Sequence, residues 1–218
     1  AAAEALIAVA TNFTEVAEAL KQRYETAGGH KLALSSGSTG KLFAQIGNGA
    51  PFDILLAADA EHPALLEKSG RGVAGTRFTY AVGRLTLWSA DPARIGADGA
   101  AALRAGGFRH IAIANPKLAP YGAAAQQTLE ALGLWSGMQG RIVQGENIGQ
   151  VFSMVSTGNA ELGFVALSYV MSPRNRQKGS RWDVPAALYQ PIRQDAVLLA
   201  HGKDNPAARG FLDFLKTA

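Results

Sequence analysis

Residues 5–29 read ALIAVATNFTEVAEALKQRYETAGG. The first six residues form an uninterrupted apolar run, which is typical of a strand buried on both faces of a sheet. Apolar residues then recur at helical spacing from Phe13 to Tyr24, and the pair Gly28-Gly29 predicts the end of that helix. A strand followed directly by a helix is the unit from which parallel α/β sheets are built.

The same alternation continues along the chain. Strands are predicted at 31–34, 53–57, 80–88, 110–114, 141–144, 162–166 and 196–200, and helices at 42–46, 62–68, 121–132, 148–156 and 206–216. The Asp91-Pro92 turn and the glycine-rich stretch 96–107 break the rhythm and predict a boundary between two similar halves. We expect the last helix to pack against the first half. The fold class is therefore α/β, with mostly parallel sheets flanked by helices.

Composition excludes several classes of protein. The 218 residues are 48% hydrophobic and 17% charged, which is apolar enough for a folded core. No uncharged apolar run approaches the roughly 18–20 residues that a membrane span needs. The absence of cysteine excludes disulfides and thiolate zinc sites, and the four scattered histidines predict no site for a free metal cation. A net charge of +4 is far below the footprint of a nucleic-acid-binding protein.

Four turns that follow predicted strands are rich in hydroxyls, amides and glycines. These turns are Thr11-Asn12, Ser36–Gly40, Ala119–Gly122 and Glu146–Gly149. Ligands of parallel α/β sheets bind at the carboxyl ends of strands, where helix N-termini present N–H groups. Helix capping explains any one of these turns, but four together favour an anion site. A site made only of donors suits a fully deprotonated oxyanion, because it offers no acceptor to a protonated one such as hydrogen phosphate.

Residues 35–42 partly match two enzymatic motifs. A phosphate-binding P-loop needs glycine at position 35 and serine or threonine at position 42, where this chain has Ser35 and Leu42. The spacing of Ser38 and Lys41 fits the Ser-x-x-Lys motif of penicillin-binding proteins and some lactamases, but no Ser-Asp-Asn or Lys-Thr-Gly motif accompanies it. A Ser38/Lys41 hydrolase is the alternative from a different functional class.

Several motifs together resemble one family along nearly the whole chain. They are, in order, Ala10-Thr11-Asn12-Phe13, Ser35–Gly40, Gly49–Ile54, Ala57-Ala58-Asp59, Arg77–Gly83, Leu87-Trp88-Ser89, Ile113–Pro116, Ala119–Gly122 and Leu162–Ala166. In this order they resemble the periplasmic molybdate-binding proteins of bacterial ABC importers.

The resemblance implies a two-lobed periplasmic-binding-protein fold, in which two crossing strands form a hinge and the ligand lies in the cleft between the lobes. Lobe I would comprise residues 1–80 plus 195–218, and lobe II residues 81–194. Carried over by position, the ligand donors would be Thr11, Asn12, Ser38 and Thr39 from the first lobe and the backbone N–H groups of Tyr121 and Ile148 from the second. Some family members add a tyrosine hydroxyl at the position where this chain has Ala166.

The resemblance also implies a function. The protein would be a non-enzymatic receptor for molybdate or tungstate, without a cofactor, that delivers the oxyanion to the permease and ATPase of an ABC transporter. It would act as a monomer in the periplasm after removal of a signal peptide, because importer receptors work outside the inner membrane. Residues 1–7, AAAEALI, lack the basic and long apolar regions of such a signal, and this alone fits either a cytosolic or an already processed chain. A receptor of the same fold for another tetrahedral oxyanion, sulfate or phosphate, is the other alternative.

Overall fold

The computed structural model describes residues 3–28 and 30–218 and divides the chain into two compact units. Unit 1 comprises Ala1–Val82 and Arg193–Ala218, and unit 2 comprises Gly83–Ile192. Gly29, one of the two glycines predicted to end the first helix, lies outside the described residues. Among the described residues, no helix combines the length and the apolar character that crossing a membrane requires.

The strands form two five-stranded sheets. The strands are β1 Glu4–Ala10, β2 Lys31–Gly37, β3 Ile54–Leu56, β4 Phe78–Gly83, β5 Leu85–Ser89, β6 Ile111–Ala114, β7 Ile142–Gly145, β8 Leu162–Ala166, β9 Ser180–Asp183 and β10 Ile192–Leu198. The helices are α1 Thr14–Gly28, α2 Thr39–Gly47, α3 Glu61–Lys68, α4 Gly99–Ala105, α5 Pro120–Ala131, α6 Trp135–Met138, α7 Ile148–Ser156, α8 Leu167–Met171 and α9 Pro206–Thr217. The predicted α/β class is confirmed.

The two sheets share one topology. The order is β2-β1-β3-β10-β4 in unit 1 and β7-β6-β8-β5-β9 in unit 2. In each sheet three parallel strands lie in the order second, first, third, and the strand next to the third runs antiparallel to it. The second and third parallel strands therefore lie on opposite sides of the first, which is β1 in unit 1 and β6 in unit 2. Such a switch point opens a crevice at the carboxyl ends of the central strands.

The core of unit 1 has two layers, one on each face of the sheet. Ile7 and Val9 pack with Phe211 of α9 on one face, whereas Ala8 packs with Leu42 of α2 on the other. Successive side chains of a strand point to opposite faces, so the continuous apolar run of β1 supplies both layers. The Tyr24 hydroxyl donates to the Ala207 carbonyl at 3.0 Å, which ties α1 to α9.

The core of unit 2 is built around strands that are buried on both faces. All residues of β5, β6 and β8 are buried. Trp88 of β5 stacks on Phe152 of α7, with ring centroids 4.9 Å apart, and its Nε1–H donates to the Lys178 carbonyl at 3.1 Å. This packing fixes α7 against the sheet and so fixes the position of its first turn.

Three sequence-based expectations about element boundaries were wrong. The single strand predicted at 80–88 is two strands, β4 and β5, which belong to different sheets. The boundary predicted near 91–107 lies inside unit 2, where Asp98 caps α4 by accepting from the Ala101 N–H at 3.1 Å. No strand is predicted at residues 180–183, whereas β9 lies there and pairs with β5.

The last strand also begins earlier than the apolar pattern indicates. Prediction placed it at 196–200, whereas β10 starts at Ile192 and includes Gln194 and Asp195, which are polar but buried. A polar residue can be buried in a strand when it has hydrogen-bond partners, and apolar periodicity does not detect those partners.

Candidate functional site

Two donor turns of unit 1 follow neighbouring parallel strands. Ala10 and Gly37, the last residues of β1 and β2, are partners in the parallel register. The short 3₁₀ turn Thr11–Phe13 continues from β1, and Ser38 and Thr39 continue from β2. Because paired strands end level with each other, Thr11, Asn12, Ser38 and Thr39 lie at the same edge of the sheet.

Ser38 and Thr39 use their hydroxyl oxygens as acceptors within the protein. Ser38 is the N-cap of α2, and its Oγ accepts from the Lys41 backbone N–H at 3.4 Å. Thr39 is 1% exposed, and its Oγ1 accepts from the Ala58 N–H at 3.0 Å. A hydroxyl carries one proton and two lone pairs. Each of these hydroxyl oxygens accepts one hydrogen bond from a backbone N–H, and the hydroxyl can still donate its own proton.

Asn12 lies in the first donor turn and is held from a distant part of the chain. Its Nδ2 donates to the Oε1 of Gln194 at 2.8 Å, and both side chains are buried. The amide nitrogen of Asn12 carries two hydrogens, and this bond uses one of them. The other hydrogen is the one that the predicted role as a ligand donor requires.

Unit 2 repeats this arrangement with helix N-termini. Ala114 and Gly145, the last residues of β6 and β7, are partners in the parallel register, and the Asn115 N–H donates to the Gly145 carbonyl at 2.9 Å. Tyr121, the second residue of α5, and Ile148, the first of α7, are buried just beyond these strand ends. The first turn of a helix has N–H groups that its own carbonyls do not satisfy, together with a partial positive charge.

Gly122 allows α5 to start this close to the sheet. A Cβ at this position would lie 2.2 Å from the Ala114 carbonyl oxygen and 2.9 Å from the Asn115 carbonyl carbon. Only glycine lets the two backbones approach to this distance. The N-cap of α5, Ala119, makes no side-chain capping bond, whereas Asn147 caps α7 by accepting from the Gln150 N–H at 3.0 Å.

Asp59 and His62 form a hydrogen-bonded pair of titratable side chains near this edge of unit 1. Asp59 follows β3, and its Oδ1 accepts from the His62 backbone N–H at 3.1 Å. Its Oδ2 lies 2.5 Å from Nδ1 of His62. This hydrogen bond raises the pKa of His62 above its ordinary value of 6.5, and the charges of Asp59 and Glu61 act in the same direction, although burial opposes them. Asp59 therefore accepts from a backbone N–H in the first turn of α3 and also contacts an imidazole.

The structure locates all six predicted site residues. Thr11, Asn12, Ser38 and Thr39 lie together at the carboxyl edge of the sheet of unit 1, and Tyr121 and Ile148 lie together at the corresponding edge of unit 2. Their role as oxyanion donors stays a prediction. Ala166 is buried at the carboxyl end of β8 and is the N-cap of α8.

Sequence analysis did not identify Gln194. It lies in β10, 182 residues from its partner Asn12. The available signal was a pair of polar residues, Gln194-Asp195, directly before an apolar run, but a local pattern does not indicate a distant partner.

Ser38 and Lys41, the pair of the hydrolase alternative, lie at the start of α2. Lys41 is exposed, and the bond from its backbone N–H to Ser38 is a helix cap. Among residues 3–28 and 30–218, no three His, Asp or Glu side chains cluster in a way that could hold a metal ion.

Comparisons with known proteins agree with this architecture. Residues 5–218 match the family described as bacterial extracellular solute-binding protein. The chain is 53% identical over 215 residues to the molybdate-binding protein ModA of Azotobacter vinelandii, covering 99% of this chain and 85% of that relative. It is 46% identical over 217 residues to the molybdate-binding protein ModA of Rhodobacter capsulatus, covering 100% of this chain and 84% of the relative.

A solved structure of a relative has the same fold as this chain. The periplasmic molybdate-binding protein of Azotobacter vinelandii superposes with a TM-score of 0.93 at 41% identity, covering 97% of this chain and 92% of that one. Because the family match spans residues 5–218 and the relatives are similar along their length, this chain belongs to the bacterial extracellular solute-binding protein family and has the two-lobed periplasmic-binding-protein fold.

Proposed function

We propose that this protein is a receptor that binds molybdate and delivers it to an ABC transporter. Each unit supplies donors from the turns at the carboxyl ends of its central parallel strands. Thr11, Asn12, Ser38 and Thr39 act from unit 1, and the backbone N–H groups of Tyr121 and Ile148 act from unit 2. A single oxyanion is bound by both sets, in the cleft expected between the lobes 1–80 plus 195–218 and 81–194.

The observation that carries this proposal is the repeated pairing of strand ends with donor turns. Ala10 pairs with Gly37 and Ala114 pairs with Gly145. Ala10, Ala114 and Gly145 each precede one of the predicted donor turns, and Gly37 lies within the fourth. The relatives with 53% and 46% identity are named as molybdate-binding proteins, which favours molybdate as the ligand.

The chemistry of these groups suits molybdate. Molybdate carries no proton at neutral pH, so it needs donors alone, whereas hydrogen phosphate would also need an acceptor. Hydrogen bonds to a charged acceptor contribute about 1.5–3 kcal/mol each, so a few neutral donors can bind the dianion without a buried cation. Sulfate is also unprotonated but is smaller, so a ring of donors spaced for molybdate would contact it loosely. Tungstate is close to molybdate in size and charge and should bind at the same position.

The cellular role follows from the family. We propose that the mature protein is a periplasmic monomer that presents the oxyanion to the permease of a molybdate transporter, which an ATPase drives. Binding and release require no catalytic step and no cofactor.

The first experiment is isothermal titration of ligand-stripped protein in buffer free of phosphate and sulfate. We expect one molybdate to bind per chain with micromolar or tighter affinity, which corresponds to about −8 kcal/mol or more. Sulfate and phosphate titrated under the same conditions should produce no saturable heat. Saturable binding of sulfate or phosphate with no binding of molybdate would contradict the proposed ligand and favour a receptor for that oxyanion.

Thr39→Val tests the site itself. The substitution keeps the shape of the side chain but removes the hydroxyl, which accepts from the Ala58 N–H and is proposed to donate to the ligand. We expect the molybdate Kd to rise at least tenfold, because a charge-assisted hydrogen bond is lost. Thr39→Ser keeps the hydroxyl and should bind within a few-fold of the wild type. If Thr39→Val folds normally and binds molybdate with unchanged affinity, the assignment of Thr39 is wrong.

A further inference from the structure

Gln194 is a buried polar residue that none of the predicted donor turns contains. It is 3% exposed, and its Oε1 accepts from Nδ2 of Asn12 at 2.8 Å. Asn12 is itself 8% exposed. A hydrogen bond between two buried side chains from distant parts of a sequence is uncommon, because most side-chain hydrogen bonds involve the backbone or water. A specific role for this bond, in addition to stabilising the sheet, would explain why the two amide side chains are buried together.

The register of β10 places Gln194 at the same edge as the donor turns of unit 1. Ala196 pairs with Leu56, the last residue of β3, in the antiparallel register. The ladder continues past the end of β3, because the Ala57 N–H donates to the Asp195 carbonyl at 3.0 Å and the Asp195 N–H donates to the Asp59 carbonyl at 3.1 Å. Gln194 is the next residue along β10 toward the edge at which the Ala58 N–H donates to Thr39.

The chemistry of an amide makes its orientation important at an anion site. The Asn12 side chain has a donor side and an acceptor side that are nearly identical in shape. With Nδ2 toward an oxyanion it donates, but a rotation of the amide by 180° would present Oδ1, a partial negative charge, to the same anion. The Gln194 Oε1 accepts from Nδ2, and a rotated Asn12 amide would place two acceptor oxygens against each other, so this oxygen favours the orientation seen.

We propose that Gln194 is a positioning residue of the oxyanion site, which orients the amide of Asn12 so that its nitrogen donates to the ligand. This inference rests on the proposed function and deepens it, because it adds a residue from β10 to donors supplied by β1 and β2. Gln194 acts through Asn12, and its effect on binding depends on the presence of that amide.

A double-mutant cycle tests this dependence. Gln194→Met keeps the length and shape of the side chain but removes the strong acceptor. We expect Gln194→Met and Asn12→Ala each to raise the molybdate Kd about tenfold in isothermal titration. In the Asn12→Ala background, Gln194→Met should change the Kd less than twofold, because there is no amide left to orient.

A stability control separates positioning from general damage. Tyr24→Phe removes another buried hydrogen bond of unit 1, the bond to the Ala207 carbonyl between α1 and α9. It should lower the melting temperature and leave the molybdate Kd unchanged. In ¹⁵N–¹H spectra of the wild type, the two Nδ2 protons of Asn12 should be well separated and should shift on addition of molybdate. In Gln194→Met their separation should shrink toward that of an exposed amide.

Two results would overturn the proposal. One is a Gln194→Met variant that binds molybdate as tightly as the wild type. The other is independence of the two substitutions, in which Gln194→Met raises the molybdate Kd by the same factor in the Asn12→Ala background as in the wild type. If the wild type binds sulfate or phosphate in place of molybdate, the proposed ligand is wrong, and the same cycle with that anion decides the role of Gln194. A wild type that binds none of the three would overturn both proposals.

Discussion

At the scale of single residues, the hydroxyl and amide groups of unit 1 are oriented by bonds within the protein. Thr39 accepts from Ala58, Ser38 accepts from Lys41, and Asn12 donates to Gln194. Each bond restricts the rotation of a group that would otherwise lose rotational freedom on binding an anion. Holding donors in place before the ligand arrives reduces the entropic cost of binding.

His62 gives a prediction at the same scale. Its pKa in the folded protein is raised, mainly by the hydrogen bond to Asp59, above the ordinary value of 6.5 expected for the unfolded chain. The folded state therefore binds the proton more tightly, and the stabilisation is complete below about pH 6.5 and is lost as the pH rises through the pKa of the folded protein. Urea unfolding between pH 5.5 and 9 should show this decline in the wild type.

The matched variant for this prediction is His62→Gln, which cannot carry the charge. Its free energy of unfolding should lack the part of the pH dependence that comes from His62, so the difference between wild type and variant should shrink as the pH rises. A difference that is constant from pH 5.5 to pH 9 would contradict the prediction.

At the scale of elements, the position of a helix start depends on the closest contact of its first turn. The start of α5 lies against the end of β6 because Gly122 has no side chain, and a Cβ there would lie 2.2 Å from the Ala114 carbonyl oxygen. The same sheet edge holds the start of α7, which is fixed by the Asn147 cap and by the stacking of Phe152 on Trp88. A displacement of either helix would move backbone N–H groups that the proposal assigns to the ligand.

Gly122→Ala tests this requirement. The added methyl group must push α5 away from β6, so we expect a loss of about 1–3 kcal/mol in the free energy of unfolding. The molybdate Kd should rise several-fold in isothermal titration, because the Tyr121 N–H moves with the helix.

Gly137→Ala in α6 is the control for the Gly122 substitution, since a Cβ at Gly137 meets nothing within 4 Å. Alanine is favoured over glycine inside a helix, so this variant should be as stable as the wild type or slightly more so. Equal effects of the two substitutions on stability and binding would contradict the steric explanation.

At the scale of the whole molecule, one topology occurs twice in a single chain. Each sheet places the first of its three parallel strands between the second and the third, and this order brings two predicted donor turns to the carboxyl ends of adjacent strands. The chain passes between the units at Val82–Gly83 and at Ile192–Arg193. The strands that adjoin these two points in unit 1, β4 and β10, are neighbours in its sheet. Chain order alone would assign residues 193–218 to the second unit, whereas α9 packs on α1 and β1 of unit 1.

Binding of the ligand should stabilise the whole molecule. A ligand that binds only the folded state adds about 2.7 kcal/mol at a concentration 100 times its Kd. For a chain of this size that corresponds to a rise in melting temperature of about 5–10 °C. Thermal unfolding with molybdate should show this rise, and sulfate at the same concentration should produce none. An unchanged melting temperature at saturating molybdate would contradict the proposed function.

Much of the fold was predictable because it depends on local patterns. The apolar run of β1, the helical spacing of α1 and the cap residue of α7 depend on residues only a few positions apart, so the sequence pattern was enough to predict them. The four turns predicted to donate to a ligand were recognised for the same reason, because a turn that joins a strand to a helix is a local feature. The resemblance to the molybdate-binding proteins also depends on these short motifs.

What the sequence by itself determined was the α/β class, most of the strands and helices, and the residue types of the donor turns. Only the tertiary structure decided which strands are neighbours. It divided residues 80–88 between two sheets, made a strand of 180–183, and joined Gln194 to Asn12 across 182 residues. The physical reason is that periodicity records which residues are buried, whereas strand order and hydrogen-bond partners depend on packing between segments far apart in the chain.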